Sequence, residues 1–348
     1  IKEKDKKLNF LENTVSETVL ERYDKYKNFK FDKNFNKLLH KEKNDIVYEK
    51  NFFLPYEHDL YLKDSLQNIE FKKINKELLS SNKSINISYN KFESSKNMLL
   101  MGANNLFPGS AFLEYSDNKL FLLSNVGIIG YAENNNSLIN TINFKQIKNN
   151  LGKFINVDTL KQKSWPNPYP MHWFGIKDLK IQKGKIYLSF TNEIKNNCWN
   201  ISILEAELNY DNLKFDYFFK PNECVINYKN IKIEDFNAHQ SGGRITFANN
   251  YLILSVGDFR KRHLAQKKNS MFGKVLKIYN NKYEVISYGH RNPQGLFYDK
   301  KNDLIFSTEH GPMGGDEINI IDLSLNNEKN YGWPVSSYGE HYQGVINR

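Results

Sequence analysis

The sequence predicts an all-β fold, a β-propeller preceded by a partly helical N-terminal extension. Three observations predict it. Four apolar runs of similar shape recur at Lys119–Ser124, Lys185–Ser189, Tyr251–Ser255 and Asp303–Ser307, and the serines that close them lie 65, 66 and 52 residues apart. That period suits propeller blades joined by long loops. The runs are apolar on both faces, as strands buried between neighbouring blades must be. The texture of the chain also changes near residue 96, from charged and amide-rich sequence to short β-rich runs separated by turns. A β-sandwich is the main rival, but its turns should recur every 8–12 residues without the longer period.

Residues 1–95 read as the extension and 96–348 as the propeller domain. In the extension, Leu20, Tyr23 and Tyr26 fit one helical face loosely. Phe71, Ile74 and Leu78 suit a short amphipathic helix with Glu70 and Lys72 on its solvent side. Nothing in this segment carries recognisable chemistry.

The 348 residues suffice for a large core, and 14% aromatics with 40% hydrophobic residues argue for a folded chain. The formal charge of +10 raises the question of nucleic acid, but residues 1–100 already hold 20 basic and 16 acidic side chains. Charge this diffuse is no binding face, so no nucleic-acid partner is expected. No run of 18 apolar residues exists, so no membrane span is expected within the chain. The chain begins at Ile1, so a signal peptide or a membrane anchor would lie upstream of residue 1. Cys198 and Cys224 exclude a disulfide-dense scaffold and a cysteine zinc cage. One disulfide within a blade and two unrelated buried thiols both remain open.

Three motifs stand out near the C-terminal end: Tyr288 to Gly295 (YGHRNPQG), Glu309 to Glu317 (EHGPMGGDE) and Asn330 to Pro334 (NYGWP). The first two are polar, Gly/Pro-punctuated loops flanking one short apolar strand. They offer a guanidinium, two amides, an imidazole and backbone carbonyls, more than a turn requires. The plain alternative is a structural turn whose arginine packs on an aromatic ring.

This constellation resembles the signature of the soluble PQQ-dependent glucose/aldose sugar dehydrogenase family, six-bladed β-propellers. The resemblance is clear from about Phe236 to Tyr338. It implies that His239, which opens a His-Gln-Ser-Gly segment, is the catalytic base. Arg291 would stabilise charge on the quinone, and Arg291, Asn292 and Gln294 would bind the PQQ cofactor. The carbonyls of Gly311 and Pro312 would ligate Ca2+. The implied reaction oxidises an aldose sugar at its anomeric carbon to the lactone by hydride transfer, passing electrons to an external acceptor. The implied location is periplasmic or extracellular. The resemblance also implies that the propeller is incomplete at its C-terminus, with further cofactor contacts beyond residue 348.

The sequence departs from the family pattern at three places. Trp173 stands where the glucose enzymes carry a Gln, as a stacking platform or a core filler. Ala238 replaces an Asp beside the base, and one extra Gly precedes Arg244, an insertion that strand register should absorb. Asp316 and Glu317 form the tight acidic pair near the site, for which a second calcium and a salt bridge to a loop arginine are both open and the salt bridge is preferred, while Asn330–Pro334 reads as a structural corner. Two other functions fit the same fold. One is a non-catalytic propeller binding a protein or glycan on its rim. The other is a calcium-dependent hydrolase using Asp258, Asp316 and Glu317.

Overall fold

The computed structural model describes residues 69–82, 85–94, 111–124, 127, 129–133, 141–155, 174–226, 236–325 and 327–340. In chain order its strands are β1 (Ile69–Asn82), β2 (Ile85–Ser94), β3 (Ala111–Ser116), β4 (Lys119–Ser124), β5 (Ile129–Glu133), β6 (Thr141–Asn149), β7 (Ile176–Gln182), β8 (Lys185–Lys195), β9 (Cys198–Glu207) and β10 (Asn212–Leu213). They continue with β11 (Asp216–Phe219), β12 (Val225–Ile226), β13 (Gly242–Ala248), β14 (Tyr251–Val256), β15 (Lys274–Tyr279), β16 (Lys282–Tyr288), β17 (Pro293–Asp299), β18 (Leu304–Glu309), β19 (Glu317–Asp322) and β20 (Lys329–Asn330). Helical structure among the described residues is limited to short 3₁₀ turns.

The chain divides into two compact units. In the first, β1 and β2 form a long antiparallel hairpin, β1 pairs through Ile69–Lys72 with the start of β6, and β4 pairs with β5. Phe71, Ile74 and Leu78 therefore lie in a strand, and the expected helix over them is absent. The physical reason lies in the register. β1 slips against β2 between Lys73 and Asn75, which makes Ile74 the additional residue. That bulge breaks the two-residue alternation and puts Ile74 three residues after Phe71, and with Leu78 four residues further on the pattern imitates a helix. The facing run, with Ile85, Ile87 and Tyr89 in alternation, supplies the partner that settles the strand. The remaining extension readings, and Trp173, fall outside the described residues.

The second unit consists of consecutive antiparallel sheets: β11-β9-β8-β7 with β12 on β9, then β13-β14-β15-β16-β20, then β17-β18-β19. The first strands of these sheets lie side by side, β13 against both β7 and β17. Meander sheets with their leading strands gathered at the centre are the arrangement of a β-propeller. The fold is all-β, of propeller type.

Local sequence explains the hairpins. Asp117-Asn118, Lys183-Gly184, Asn249-Asn250 and Asn280-Asn281 each take two successive positive φ angles, between 48° and 73°. That is the twist-matched two-residue turn, and Asn, Asp and Gly tolerate it best. All four recurring runs are strands, each the second of its group. β8 is buried along most of its length, as expected for a strand packed on both faces.

The closing serines join one sheet to the next. Ser189 Oγ donates to the Gly243 carbonyl on β13, and Ser255 Oγ donates to the Pro293 carbonyl on β17 at 2.8 Å. Ser307 is buried without such a partner among the described residues. Between the last two sheets, Ala248, Ile253, Val275, Ile305 and Ile321 form a shared apolar core. Each fully buried Ile or Val contributes about 1.5–3 kcal/mol. Cys198 and Cys224 are joined as a disulfide with Cα atoms 5.4 Å apart, which ties β9 to the segment leading into β12. That decides the cysteine question.

Candidate active site

The candidate residues stand at the ends of the central strands. His239 lies on a 3₁₀ turn, Ala238–Gln240, immediately before β13. Asn237 caps that turn, its side-chain oxygen accepting the His239 N–H at 2.8 Å. Arg291 and Asn292 precede β17, and Gly311 and Pro312 follow β18. The extra glycine before Arg244 is absorbed as expected: β13 shifts register against β14 between Gly242 and Ile245, with φ of 62° at Gly242 and 99° at Gly243. Arg244 emerges from that bulge onto buried Asp178 at 2.9 Å and onto the Gln294 carbonyl at 2.6 Å.

Arg291 is the organising side chain. It is 7% exposed, and its Nη1 donates to the carbonyls of His310 and Gly311 at 2.8 and 2.7 Å. Its guanidinium lies 5.5 Å from the Trp333 ring centroid, so the arginine also packs on an aromatic, as the plain reading of the motif had it. Arg262 lies 5.4 Å from the same ring. Gln240, with its amide turned so that each atom meets a complementary partner, accepts from Arg291 Nη2 and donates to Asp258 Oδ1, both at 3.0 Å. Trp333 Nε1 donates to Asp258 Oδ2 at 2.8 Å. Arg291, Gln240, Asp258 and Trp333 thus close a ring. Burial is the main reason that the Asp258 carboxyl rises to about 6, against the pull of its Trp333 and Arg260 hydrogen bonds.

Behind Arg291, Glu309 collects the loop. Its carboxylate accepts from the His290 ring at 2.8 Å, from the Arg291 backbone N–H, from the Asn292 N–H at 3.3 Å and from Asn319 Nδ2 at 3.2 Å. His290 meets Ser287 Oγ at 2.8 Å and stacks on Tyr331 with ring centroids 4.9 Å apart.

The other predicted residues sit around this frame. Asn292 is buried, and its Oδ1 accepts the Gly242 N–H at 3.1 Å, which ties the Arg291 loop to the start of β13. Gln294 Nε2 reaches the His239 carbonyl at 3.5 Å. The Pro312 carbonyl accepts the Gly315 N–H at 2.8 Å. The His239 ring opens to solvent at the edge of the site, and partial desolvation with the charges of Lys177, His310 and Arg291 lowers its pKa to about 4. Its imidazole is therefore neutral at pH 7. Asp316 meets His310 at 3.4 Å and the Gly311 N–H at 3.1 Å, in place of the loop arginine expected for it. Glu317 meets Asn319 at 3.4 Å. The three carboxylates a hydrolase would need go to separate partners.

The glucose/sorbosone dehydrogenase family model matches residues 177–348. This stretch is just under half of the chain. Among curated relatives it is 34% identical to aldose sugar dehydrogenase YliI of Escherichia coli, over 30% of this chain and 31% of that protein. It is 46% identical to quinoprotein glucose dehydrogenase B of Acinetobacter calcoaceticus, over 16% of this chain and 10% of that one. The chain therefore spans a third or less of the curated relatives it matches. Solved structures similar to it include the PQQ-bound aldose sugar dehydrogenase of Streptomyces coelicolor, with 20% identity, TM-score 0.48, and coverage of 66% and 63% of the two chains. The apo aldose sugar dehydrogenase of Escherichia coli has 19% identity and TM-score 0.47, with coverage of 67% and 65%.

Four groups that build the site are not among the candidate residues that the sequence offers. Glu309 and His290 lay inside the quoted motifs but carried no assigned role. Gln240 sat beside the singled-out histidine. Trp333 lies in the segment expected as a structural corner, and its indole also joins Asp258 to Arg291.

Proposed function

We propose that this protein oxidises an aldose at its anomeric carbon to the lactone, with PQQ as the two-electron acceptor and an external partner reoxidising it. The observation that carries the reading is Arg291, held between Trp333 and the Gly311 carbonyl, in a site that also holds a neutral His239. The donor set suits a planar polyanion. It offers a fixed guanidinium backed by an indole, with cationic groups around the histidine.

Bound PQQ would supply the two-electron redox chemistry and calcium a Lewis acid, with Arg291 helping to hold the first and the Gly311 and Pro312 carbonyls the second. The rest falls to this chain. Neutral His239 accepts the proton of the anomeric hydroxyl as the C–O double bond forms, then releases it to solvent. Arg291 stabilises the negative charge that grows beside it, and its ring with Gln240, Asp258 and Trp333 keeps it from reorganising. The Gly311 and Pro312 carbonyls each accept one N–H already, and each oxygen keeps a second lone pair for a hard cation. Among the described residues no three His, Cys, Asp or Glu side chains cluster to hold a metal. A periplasmic or extracellular location, with an anchor upstream if there is one, fits the Cys198–Cys224 disulfide.

The test is a titration of the full-length protein with PQQ in the presence and absence of Ca2+, for wild type and Arg291→Ala. Saturable, calcium-dependent binding that the variant loses supports the dehydrogenase. A folded wild type that binds no PQQ overturns it and leaves a propeller that recognises a protein or glycan on its rim.

A further inference from the structure

Lys274 opens β15 and is fully buried. Its ammonium donates to three backbone carbonyls, those of Leu264 and Ala265 at 2.9 Å and that of Phe272 at 2.7 Å. All three belong to the segment from Arg262 to Gly273, which leads from β14 into β15. An ammonium has three N–H donors and no acceptor, so this cage uses each of them. Burial brings the Lys274 pKa down to about 8, and the group still carries its charge at pH 7. An apolar side chain would bury here without the desolvation penalty of a cation, so the three carbonyls account for the lysine.

The same segment grips two of the three motifs. The Ala265 carbonyl, already bonded to Lys274, also accepts the Gly289 N–H at 3.0 Å, and the Gly273 carbonyl accepts the His290 N–H at 3.1 Å. Gly273 approaches so closely that a Cβ built on it would stand 2.7 Å from the His290 carbonyl oxygen. Gln266 Nε2 donates to the Trp333 carbonyl at 2.6 Å, and its amide exchanges hydrogen bonds with that of Asn330. Arg262 lies over the Trp333 ring. On another side, Glu223 accepts from Ser270 Oγ and from the Met271 N–H, so the segment is held between an acid and a cation. Arg291 follows His290 directly and lies over the same Trp333 ring. The segment therefore reaches Arg291 by two routes, through its backbone and through the indole.

We propose that Lys274 is a positioning residue for Arg291. Its ammonium fixes the Arg262–Gly273 segment, and that segment holds the Gly289–His290 backbone and the Trp333 ring, which together set the guanidinium. The role deepens the dehydrogenase reading and rests on it for what Arg291 binds.

The test uses the full-length protein labelled with 5-fluorotryptophan, as wild type, as Lys274→Met, which keeps the stem without the charge, and as Lys274→Cys. The native cysteines are tied in a disulfide, so the new thiol can be aminoethylated in the unfolded chain, which restores an ammonium at lysine length. The four tryptophans are followed by fluorine NMR, and Trp333→Phe identifies the Trp333 signal. In Lys274→Met that signal should shift while the other three stay, and PQQ affinity by calorimetric titration should fall roughly tenfold or more. The aminoethylated chain should recover both, and a refolded chain that recovers neither overturns the role. A folded Lys274→Met with either the Trp333 signal or the PQQ affinity unchanged overturns it, and so does movement of all four signals together. If Lys274→Met does not fold, Lys274→Gln, which keeps a shorter donor, is read in the same way. Failure of both to fold makes Lys274 a general core residue and overturns the role. If wild type binds no PQQ, the dehydrogenase reading fails and the Trp333 signal decides the positioning separately. A shift confined to Trp333 and reversed by aminoethylation then upholds it, and an unmoved signal overturns it.

Discussion

The buried carboxylate of Glu309 meets the ring of His290 at 2.8 Å, and through this pair the two polar motifs become one structure. A carboxylate only accepts, so His290 Nδ1 carries the hydrogen, and the Arg291 and Asn292 N–H groups converge on the same Glu309 side chain.

Replacing Glu309 with Ala should therefore cost about 3–5 kcal/mol of stability, because a buried imidazole and two backbone donors lose their acceptor together. Glu309→Gln keeps the shape and one acceptor oxygen and should cost less. Denaturant unfolding of both variants checks the order. A neutral Glu309→Ala would show that the pair does not hold the loop.

Trp333→Phe keeps a ring under Arg291 but removes the N–H on Asp258. The buried carboxyl then loses one partner, and the expected cost is about 1–3 kcal/mol. PQQ affinity should fall less than in Trp333→Leu, which loses the cation–π contact as well. Comparing the two affinities separates the stacking from the hydrogen bond.

Two opposite pH dependences should be visible. His239 is depressed from an ordinary 6.5 to about 4, so in the window between those values the unfolded chain binds the extra proton, and stability from this group rises with pH. Asp258 is raised from 3.8 to about 6, so the folded protein binds the extra proton there, and stability from this group falls as pH rises through that window. Asp258→Asn should remove the falling contribution, read as unfolding free energy against pH. If His239 is the base, its neutral form persists down to about pH 4. Turnover of a PQQ-loaded enzyme should then hold between pH 5 and 7 as far as this group governs it, with NMR of the ring giving the same midpoint.

The Cys198–Cys224 bridge closes a separation of 26 residues. On the chain-entropy account its removal should cost about 3 kcal/mol. Thermal unfolding with and without reductant measures it, and the Cys198→Ala/Cys224→Ala double variant should match the reduced protein.

The sequence alone determined the β class, the four recurring strands and the two loops that carry Arg291 and the Gly311 carbonyl. Those features are local: turn chemistry, apolar runs and motif spacing are written in consecutive residues. It also foresaw that register would absorb the glycine inserted before Arg244. The helix expected over Phe71–Leu78 fails for the opposite reason, since a bulge at Ile74 in a long hairpin breaks strand alternation and only the partner strand reveals it. Tertiary structure alone decided which groups meet. Gln240, Asp258 and Trp333 are far apart in the chain, and only the gathering of central strands closes their ring around Arg291. The same holds for the stem of Lys177, which packs where Gly243 carries no side chain, between two strands that each slip in register. Contacts of that kind depend on distances across sheets, and a linear pattern does not encode them residue by residue.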